Sequence, residues 1–257
     1  MNYLDLEILL LKKLTVLKRH FSLYGIKAEF EAEGSSVEDI IFLRKITSQC
    51  KTKLYVKIGG VEAVNDIYNC IKIGVDGLIA PMVETKFGLY KFLQIIKNLS
   101  IKNKPSLSIN IESDSGFKNL EEILKIAKNS INNITVGRSD FSKSYFNNKI
   151  NQNSSFITKK IVEIAIKAKK NRLLTTVGGG VDDKTIKIYK KNKQILKLIK
   201  HIETRKVILP TKTFLKKNGA LEAALDFEKH YILCKKQKQD FTIKSELNRL
   251  STLNNRE

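Results

Sequence analysis

Two acidic residues, Glu112 and Asp140, stand where oxygen ligands for a metal ion could meet. Glu112 closes the strand-like run Ser106–Ile111, and Asp140 closes the run 134–139. A helical pattern at 117–128 lies between them, so the segment predicts a strand–helix–strand unit with both acids at one end of a parallel sheet. Mg²⁺ often takes one or two carboxylates in proteins. Both acids are therefore candidate metal ligands, although acids after strands also commonly cap the following helix.

Further charged residues and glycine turns end other predicted strands. A cation beside several carboxylates at one rim suits a site in which a metal polarises a keto acid's carbonyl, while Lys or Arg stabilises the developing oxyanion. Glycine turns allow a backbone to approach an anion closely, although tight turns use glycine for other reasons. The candidates are Glu31, Glu33, Lys57, Glu84, Glu203 and Arg205, with the turns Gly59-Gly60 and Gly178-Gly179-Gly180.

The elements that would position these residues alternate along the chain. Residues 4–21 predict an amphipathic helix, and strand-like and helical runs then alternate, which is typical of a parallel sheet. Seven strands are clear, and a short eighth is expected at 207–209. Because functional residue types end nearly every strand, we predict a single α/β domain built as a (β/α)8 TIM barrel rather than an open sheet. The predicted parts are an N-terminal helix at 1–22, the barrel at 23–233 and a Lys-rich helical tail at 234–257.

Composition limits the partners of the chain. Its 257 residues carry a formal charge of +21, from 47 Lys and Arg against 26 Asp and Glu. The basic residues are mostly Lys and are spread through every helical segment, whereas base-specific nucleic-acid readers depend on Arg at a groove-facing surface. We therefore do not expect nucleic acid as a partner, and the excess charge favours anionic small molecules.

The distribution of apolar residues and cysteines indicates the compartment. No run of about 18 apolar residues is present, so no membrane partner is expected. The acids Asp5 and Glu7 precede the first apolar run, which disfavours a signal peptide. Cys50, Cys70 and Cys234 form no CxxC pair, which fits a reducing, cytoplasmic setting.

Four segments between residues 26 and 210 carry a more specific signal. They are VKIGGVEA at 56–63, APMVET at 80–85, NIES at 110–113 and VGRSDFS at 136–142. In this order they resemble the HpcH/HpaI aldolase and citrate lyase β-subunit family of the phosphoenolpyruvate/pyruvate barrel superfamily. The third and fourth segments are the most specific.

The resemblance implies a set of roles. Glu112 and Asp140 would hold Mg²⁺, Mn²⁺ or a similar divalent cation, and backbone amides near Ser139 would contact the carboxylate of a 2-oxo acid. Lys57 takes the place of a family Arg that contacts the pyruvate oxygen, and it keeps the charge without the bidentate fork. The catalytic candidates are Lys57, Glu31, Glu33 and Arg205, and the substrate-binding candidates are Gly59, Gly60, Arg138, Ser139 and Gly179.

The chain departs from the family pattern in two further ways. The aldolases use a His base just after the strand that matches residues 26–31, but here Glu31 and Glu33 stand in that region, and either could replace the base if burial raises its pKa. His20, His201 and His230 lie elsewhere. The family's usual first strand is missing ahead of Ile26, so residues 207–209 are expected to supply the missing barrel strand from the other end of the chain.

Two functions remain open at this point. The first is a metal-dependent carbon–carbon lyase acting through the enolate of a 2-oxo acid or an acyl-thioester relative. The second is a non-catalytic or divergent barrel that serves as a binding or assembly protein. The resemblance also implies a homo-oligomer, and the polar loop at 142–155 is expected to act as a lid or a partner contact.

Overall fold

Eight short strands form a closed barrel in the computed structural model, which describes residues 3–99, 104–147 and 149–254. Each strand is hydrogen-bonded to the next in chain order, and the last strand pairs with the first. The predicted barrel is therefore confirmed. The strands are β1 (Gly25–Glu29), β2 (Leu54–Lys57), β3 (Gly77–Ala80), β4 (Ser106–Ile111), β5 (Asn133–Gly137), β6 (Leu174–Gly178), β7 (His201–Glu203) and β8 (Val207–Pro210).

Strand β8 runs opposite to the other seven. The neighbouring strands β1 to β7 are parallel, whereas β8 is antiparallel to β7 and to β1. Only residues 204–206 connect β7 to β8, and a parallel connection needs a crossover of a dozen or more residues. The expected eighth strand at 207–209 is therefore present, but it enters the barrel as the second arm of a hairpin. This hairpin differs from the uniformly parallel sheet that alternation predicted.

The helices surround the barrel, and several begin with the side-chain caps that the sequence signals. Ser36 and Asp39 form a reciprocal capping box at the start of α2, as do Asp182 and Thr185 at the start of α9. The helices are α1 (Tyr3–Phe21), α2 (Val37–Gln49), α3 (Val64–Ile73), α4 (Lys86–Asn98), α5 (Asp114–Lys118), α6 (Leu120–Ala127), α7 (Arg138–Lys143), α8 (Ser155–Lys170), α9 (Asp183–Lys191), α10 (Lys193–Leu198), α11 (Thr211–Lys216) and α12 (Ala220–Asn254).

The hydrophobic core lies between the barrel and its helices. Helix α1 packs against α12, so the first helix of the chain and the last support each other. Leu10, Leu14 and Leu17 of α1 are fully buried, as are Ala224 and Phe227 of α12. Burial of this kind stabilises the fold by roughly 1.5–3 kcal/mol for each large apolar side chain.

Several element boundaries differ from those predicted. Strand β1 ends at Glu29 because residues 31–34 form a turn, and β5 ends at Gly137 because α7 begins at Arg138. The single helix predicted at 117–128 is two helices, α5 and α6, which meet at Asn119.

The tail and the predicted lid lie partly outside the described residues. The predicted last barrel helix and the tail are one helix of 35 residues, α12. Residues 255–257 of the tail and residue 148 of the loop at 142–155 are not described. No helix in the described part of the chain is long and apolar enough to cross a membrane.

Candidate active site at the barrel mouth

A polar cavity of about 320 Å³ opens at the carboxyl ends of the parallel strands. This is the end at which TIM-barrel enzymes place their active sites. The lining combines four acidic with four basic side chains and the backbone of two glycine-containing turns. The lining residues are Lys27, Glu29, Ala32, Lys57, Asn110, Glu112, Thr135, Gly137, Ser139, Asp140, Lys143, Gly179, Gly180, Glu203, Thr204 and Arg205.

Glu112 follows β4, and both of its carboxylate oxygens accept a hydrogen bond. The Met82 N–H donates to Oε1 at 3.0 Å, and the Asn110 amide donates to Oε2 at 3.1 Å. Met82 has a positive φ of 49°, an uncommon conformation for a non-glycine residue. Gly137 of β5 packs directly against the carboxylate, because a Cβ atom at this glycine would lie 2.4 Å from Glu112 Oε2. The backbone of two neighbouring strands therefore fixes this acid in place.

Glu112 is a buried carboxyl whose pKa is shifted upward. Only 4% of Glu112 is exposed. Burial raises the pKa of its carboxyl; the charge of Lys57 opposes this effect and that of Asp140 adds to it. A divalent cation beside Glu112 would supply the compensating charge that the burial of a carboxylate requires.

The residues present fit a hard divalent cation. Glu112 and Asp140 line the same cavity, and Asn110 Oδ1 is a buried oxygen that has no hydrogen-bond partner in the structure. Carboxylate and amide oxygens are ligands that Mg²⁺ accepts, and it needs no more than one or two carboxylates from the protein. The described residues contain no group of three or more acidic, His or Cys side chains arranged for a metal ion.

A second feature of the cavity is a chain of alternating buried charges. Lys27 Nζ lies 2.6 Å from Glu203 Oε1 and 2.8 Å from Glu29 Oε1, and Lys57 Nζ lies 3.3 Å from Glu29 Oε2. The chain crosses the barrel mouth from β7 through β1 to β2. Glu203 uses one oxygen for Lys27, whereas Glu29 has a lysine on each oxygen.

The pKa shifts follow from these contacts. Burial lowers the pKa of Lys27, but the charges of Glu203 and Glu29 outweigh it and raise the pKa above the usual lysine range. Burial opposes ionisation of Glu29, yet Lys27 and Lys57 lower the pKa of Glu29 to about 2. Lys27 and Glu29 are therefore both charged at neutral pH, and Glu29 is a poor proton acceptor.

The comparison with known proteins identifies the family. Residues 35–198 match the family described as HpcH/HpaI aldolase/citrate lyase. The chain belongs to this family. Membership supports a lyase-type or aldolase-type enzyme that acts on a small molecule.

Solved structures with the same barrel are distant in sequence. An HpcH/HpaI aldolase/citrate lyase family protein from Burkholderia cenocepacia matches with a TM-score of 0.61 at 12% identity, over 79% of this chain and 83% of that chain. An HpcH/HpaI aldolase from Desulfitobacterium hafniense matches with a TM-score of 0.52 at 12% identity, over 63% and 70%. A variant of the citrate synthase SbnG matches with a TM-score of 0.54 at 14% identity, over 89% and 90%. At these identities the matches show the fold alone. No curated protein sequence matches the chain significantly.

Six of the eleven site residues predicted from sequence line the cavity of this HpcH/HpaI-family barrel. Lys57 ends β2, and Glu112, Gly179 and Arg205 follow strand ends that the sequence pattern indicated. Ser139 and Asp140 reach the cavity from the first turn of α7, because β5 ends at Gly137. The six are Lys57, Glu112, Ser139, Asp140, Gly179 and Arg205.

The two glutamates expected to replace the family's His base lie outside the cavity. Glu31 Oε1 approaches Gly59, where a Cβ atom would lie 2.7 Å from it, and Glu33 forms an ion pair with the buried Lys206. Strand β1 ends at Glu29, so Glu31 and Glu33 lie in the turn that follows rather than on the strand. Gly59 and Gly60 do not line the cavity either, and the Gly59 N–H donates to Asp66 Oδ2 at 2.7 Å. None of these four residues lines the cavity.

Arg138 is present at the cavity's edge but its side chain faces the protein. It is fully buried, and its guanidinium donates to the carbonyl oxygens of Gly178 at 3.0 Å and Gly179 at 2.8 Å. It also donates to Asn153 Oδ1 at 3.0 Å. Arg138 therefore ties the glycine turn after β6 to the loop before α8, and a guanidinium with these partners is not available to a substrate in this structure.

No histidine is among the residues that line the cavity. His201 lies at the opposite end of the barrel, where its ring stacks on Tyr24 with a centroid distance of 3.9 Å. Burial lowers the pKa of His201 to about 4. The family's His base therefore has no counterpart at the mouth within the described residues.

Sequence reasoning missed Lys27 and Glu29 as members of the site. The signal was present, because Ile26-Lys27-Ala28-Glu29 alternates, and alternation places Lys27 and Glu29 on one face of the strand. Charged residues on the inner face of a strand are unusual unless they are paired. Glu203 was noted as a strand-ending acid, but its partner 176 residues away could not be identified from the sequence.

Proposed function

We propose that this protein is a divalent-metal-dependent carbon–carbon lyase acting on a 2-oxo acid or a related acyl compound such as an acyl-thioester. The observation that carries the proposal is the placement of Glu112, Asp140 and Lys57 around one cavity at the mouth of a family barrel. In such a reaction the carbon–carbon bond breaks beside a carbonyl, and negative charge develops on the carbonyl oxygen as the enolate forms.

The charge of each residue determines its role in the proposed reaction. Glu112 and Asp140 would hold Mg²⁺ or Mn²⁺, with Asn110 Oδ1 as a further oxygen nearby. When bound, the cation supplies Lewis-acid polarisation of the substrate carbonyl. Lys57 adds a positive charge beside the same site and stabilises the developing oxyanion. Backbone around Ser139 and Gly179 also lines the cavity, and it would hold the substrate carboxylate.

Glu203 is our candidate for proton transfer. It lines the cavity, and only its Oε1 atom is engaged by Lys27, at 2.6 Å. Glu29 has a lysine on each oxygen and a pKa of about 2, so it does not accept a proton at neutral pH. Glu203 therefore takes the role that the sequence pattern had suggested for Glu31 or Glu33.

The first test is metal binding measured by calorimetry. Mg²⁺ or Mn²⁺ is titrated into the wild type with and without pyruvate, and into Asp140→Asn and Glu112→Gln. We expect wild-type binding that tightens with pyruvate, and a loss of at least tenfold in each variant, because an oxygen ligand and its charge are removed together. Release of a 2-oxo acid from candidate aldol substrates should fall in the same variants.

Glu62→Gln is the matched control for these substitutions. Glu62 is an exposed acid near the mouth that pairs with Lys91 and does not line the cavity. Its variant should bind metal as the wild type does. If Asp140→Asn binds metal and pyruvate as tightly as the wild type, the proposed metal site is wrong.

A non-catalytic role is the second candidate. The absence of histidine from the cavity lining and the pairing of Glu29 with two lysines favour it. It predicts that no screened substrate is cleaved although the barrel folds. Metal binding that depends on Asp140, together with turnover, would exclude it.

The assembly and compartment are further proposals. Apolar side chains remain exposed along the second half of α12, among them Ile243, Leu247 and Leu250. We expect a homo-oligomer, because monomeric proteins rarely leave such a surface uncovered, and light scattering measures its mass. The cysteines are all free thiols, which supports a reducing, cytoplasmic setting.

A further inference from the structure

A buried arginine holds the glycine turn that follows β6. Arg138 of α7 is fully buried, and its guanidinium donates to the Gly178 carbonyl oxygen at 3.0 Å and to the Gly179 carbonyl oxygen at 2.8 Å. These carbonyl groups belong to consecutive peptide units, which join Gly178 to Gly179 and Gly179 to Gly180. Because the guanidinium is rigid and planar, Arg138 fixes the orientation of both peptide planes at once.

The same two peptide units present their N–H groups in the opposite direction. The described residues contain no cis peptide bond, and in a trans peptide the N–H points away from the C=O of the same unit. The N–H groups of Gly179 and Gly180 therefore point away from the guanidinium, and both glycines line the mouth cavity. Within the described residues neither N–H donates to an acceptor of the protein. Two adjacent backbone donors of this kind suit an anionic oxygen.

The conformation of this turn requires glycine. The φ angles of Gly179 and Gly180 are 80° and 60°, a region that residues with a side chain rarely adopt. A Cβ atom at Gly179 would also lie 2.6 Å from the Ser139 nitrogen and 2.7 Å from the Arg138 nitrogen. The turn is therefore packed against the backbone of α7 and is bonded to the Arg138 side chain, so Arg138 restrains it twice.

The charge of Arg138 strengthens these donors as well as orienting them. A hydrogen bond from a charged donor polarises the peptide unit that accepts it, and this makes the N–H of the same unit a better donor. The other partners of the guanidinium are Asn153 Oδ1 at 3.0 Å and Thr185 Oγ1 at 3.2 Å. Asp182 joins the network through Thr185, at 2.7 Å, and the charge of Arg138 acts on it. The guanidinium is thus held behind the turn by groups outside the cavity lining.

We propose that Arg138 is a positioning residue, which acts through the glycine turn so that the N–H groups of Gly179 and Gly180 bind an anionic oxygen of the substrate. This inference rests on the proposed function for the identity of the anion, which is the carboxylate of a 2-oxo acid. The turn touches the ligand and the guanidinium does not. Arg138 was expected to bind substrate directly, and its role here is indirect.

The direct test is NMR spectroscopy of the protein with isotope-labelled glycine. Pyruvate with Mg²⁺ and, separately, sulfate without metal are the probes. We expect the amide hydrogens of Gly179 and Gly180 to shift downfield when either anion binds, because each N–H gains a charged acceptor. Gly88 of α4 is the internal control, since its N–H already donates to Thr85 Oγ1 at 3.0 Å, and its signal should not move.

The variants assign the effect to Arg138. Arg138→Lys keeps the charge but loses the planar fork, so it should weaken pyruvate binding about tenfold and reduce both glycine shifts. Asn153→Ala removes one acceptor of the guanidinium at a half-buried loop position, and it should weaken binding about threefold. Arg44→Lys is the matched control, because Arg44 also donates to carbonyl oxygens, those of Thr52 and Gly74 at 3.2 Å, in turns that precede β2 and β3. It should lower stability without changing the affinity for pyruvate.

The outcomes separate this inference from the proposed function. Pyruvate binding without a shift at either glycine would overturn the role of the turn and leave the lyase proposal standing. Wild-type affinity for pyruvate in folded Arg138→Lys would overturn the role of Arg138, and Asn153→Ala decides by the same criterion if Arg138→Lys does not fold. Sulfate shifts at both glycines in a protein that binds no divalent metal would support the anion site and overturn the lyase proposal.

Discussion

At the scale of single residues, Gly137 and Glu112 determine each other's position. A Cβ atom at Gly137 would lie 2.4 Å from the carboxylate oxygen of Glu112, which is closer than real Cβ contacts, and 3.0 Å from the Cβ atom of Glu112, which is a tight contact. Glu112 in turn is held by the Met82 N–H and the Asn110 amide. The glycine in VGRSDFS therefore has a steric role that is independent of the acid three residues later.

We expect Gly137→Ala to weaken Mg²⁺ binding by at least tenfold while the barrel still folds. The added methyl group must displace the Glu112 carboxylate, because the neighbouring backbone of β4 cannot move without breaking its pairing with β5. Calorimetry measures the affinity, and circular dichroism checks the fold. Gly88→Ala in α4 is the control, since its Cβ atom would make only ordinary contacts, the nearest at 3.5 Å from Thr85 Oγ1. Unchanged metal affinity in Gly137→Ala would contradict the proposed role of Glu112.

Ionisation of Glu29 should make the free energy of unfolding depend on pH in the acidic range. Its pKa is about 2 in the folded state against 4.5 as the reference value, so its contribution is present above pH 4.5 and is lost as the pH falls toward 2. We expect the free energy of unfolding to fall by about 2–3 kcal/mol from this group across that window. Urea unfolding at a series of pH values measures it. Glu29→Gln should flatten this part of the profile, and an unaltered profile in that variant would refute the assignment.

At the scale of the elements, the sequence predicted the bounds of a strand correctly where the alternating pattern was uninterrupted. Strand β4 has the predicted bounds, and the candidates Glu112 and Asp140 do line one cavity. The sequence pointed to Glu31 as the acid after β1, whereas Glu29 is the acid that ends this strand and lines the cavity. The difference arises because the alternating pattern continues into the turn that ends the strand. The direction of β8 could have been predicted, since three residues cannot make a parallel crossover. The partner of Lys27 could not have been predicted, because Lys27 on β1 meets Glu203 on β7 only when the barrel closes.

Helix α12 has two parts with different roles. Its first part buries Phe227, Tyr231 and Cys234, whereas residues 240–254 are exposed along their whole length. We expect a chain that ends at Gln239 to lose the proposed oligomer, but to keep the free energy of unfolding of the single chain within about 0.5 kcal/mol, because positions exposed in one chain contribute little to it. The control Phe227→Ala should cost about 3–5 kcal/mol through the cavity it leaves. Urea unfolding measures both at a protein concentration at which light scattering finds the monomer, and a large loss on truncation there would contradict the exposed state of residues 240–254 in the single chain.

At the scale of the whole molecule, the charge of +21 opposes folding through self-repulsion. Most of the described lysines are exposed and form no ion pair, so salt should screen more repulsion than attraction. We expect the free energy of unfolding to rise by about 1 kcal/mol between 20 mM and 300 mM NaCl at pH 7. The same salt series near pH 9.8, the sequence pI, is the control and should show little change. A fall in stability with salt at pH 7 would mean that the surface ion pairs outweigh the repulsion.

The pairing of β8 with β1 is one of two short joints in the closed ring. Two residue pairs join these strands, as two join β6 to β7, whereas five join β5 to β6. A ring must break at one joint before any strand can leave it, and the backbone amides at a short joint exchange their hydrogens with water at a low free energy of opening. Breakage between β8 and β1 moves Lys27 of β1 away from Glu203 of β7. The charge network of the mouth therefore opens with that joint, and a substrate bound across both would slow hydrogen exchange on β1 and β8 alike.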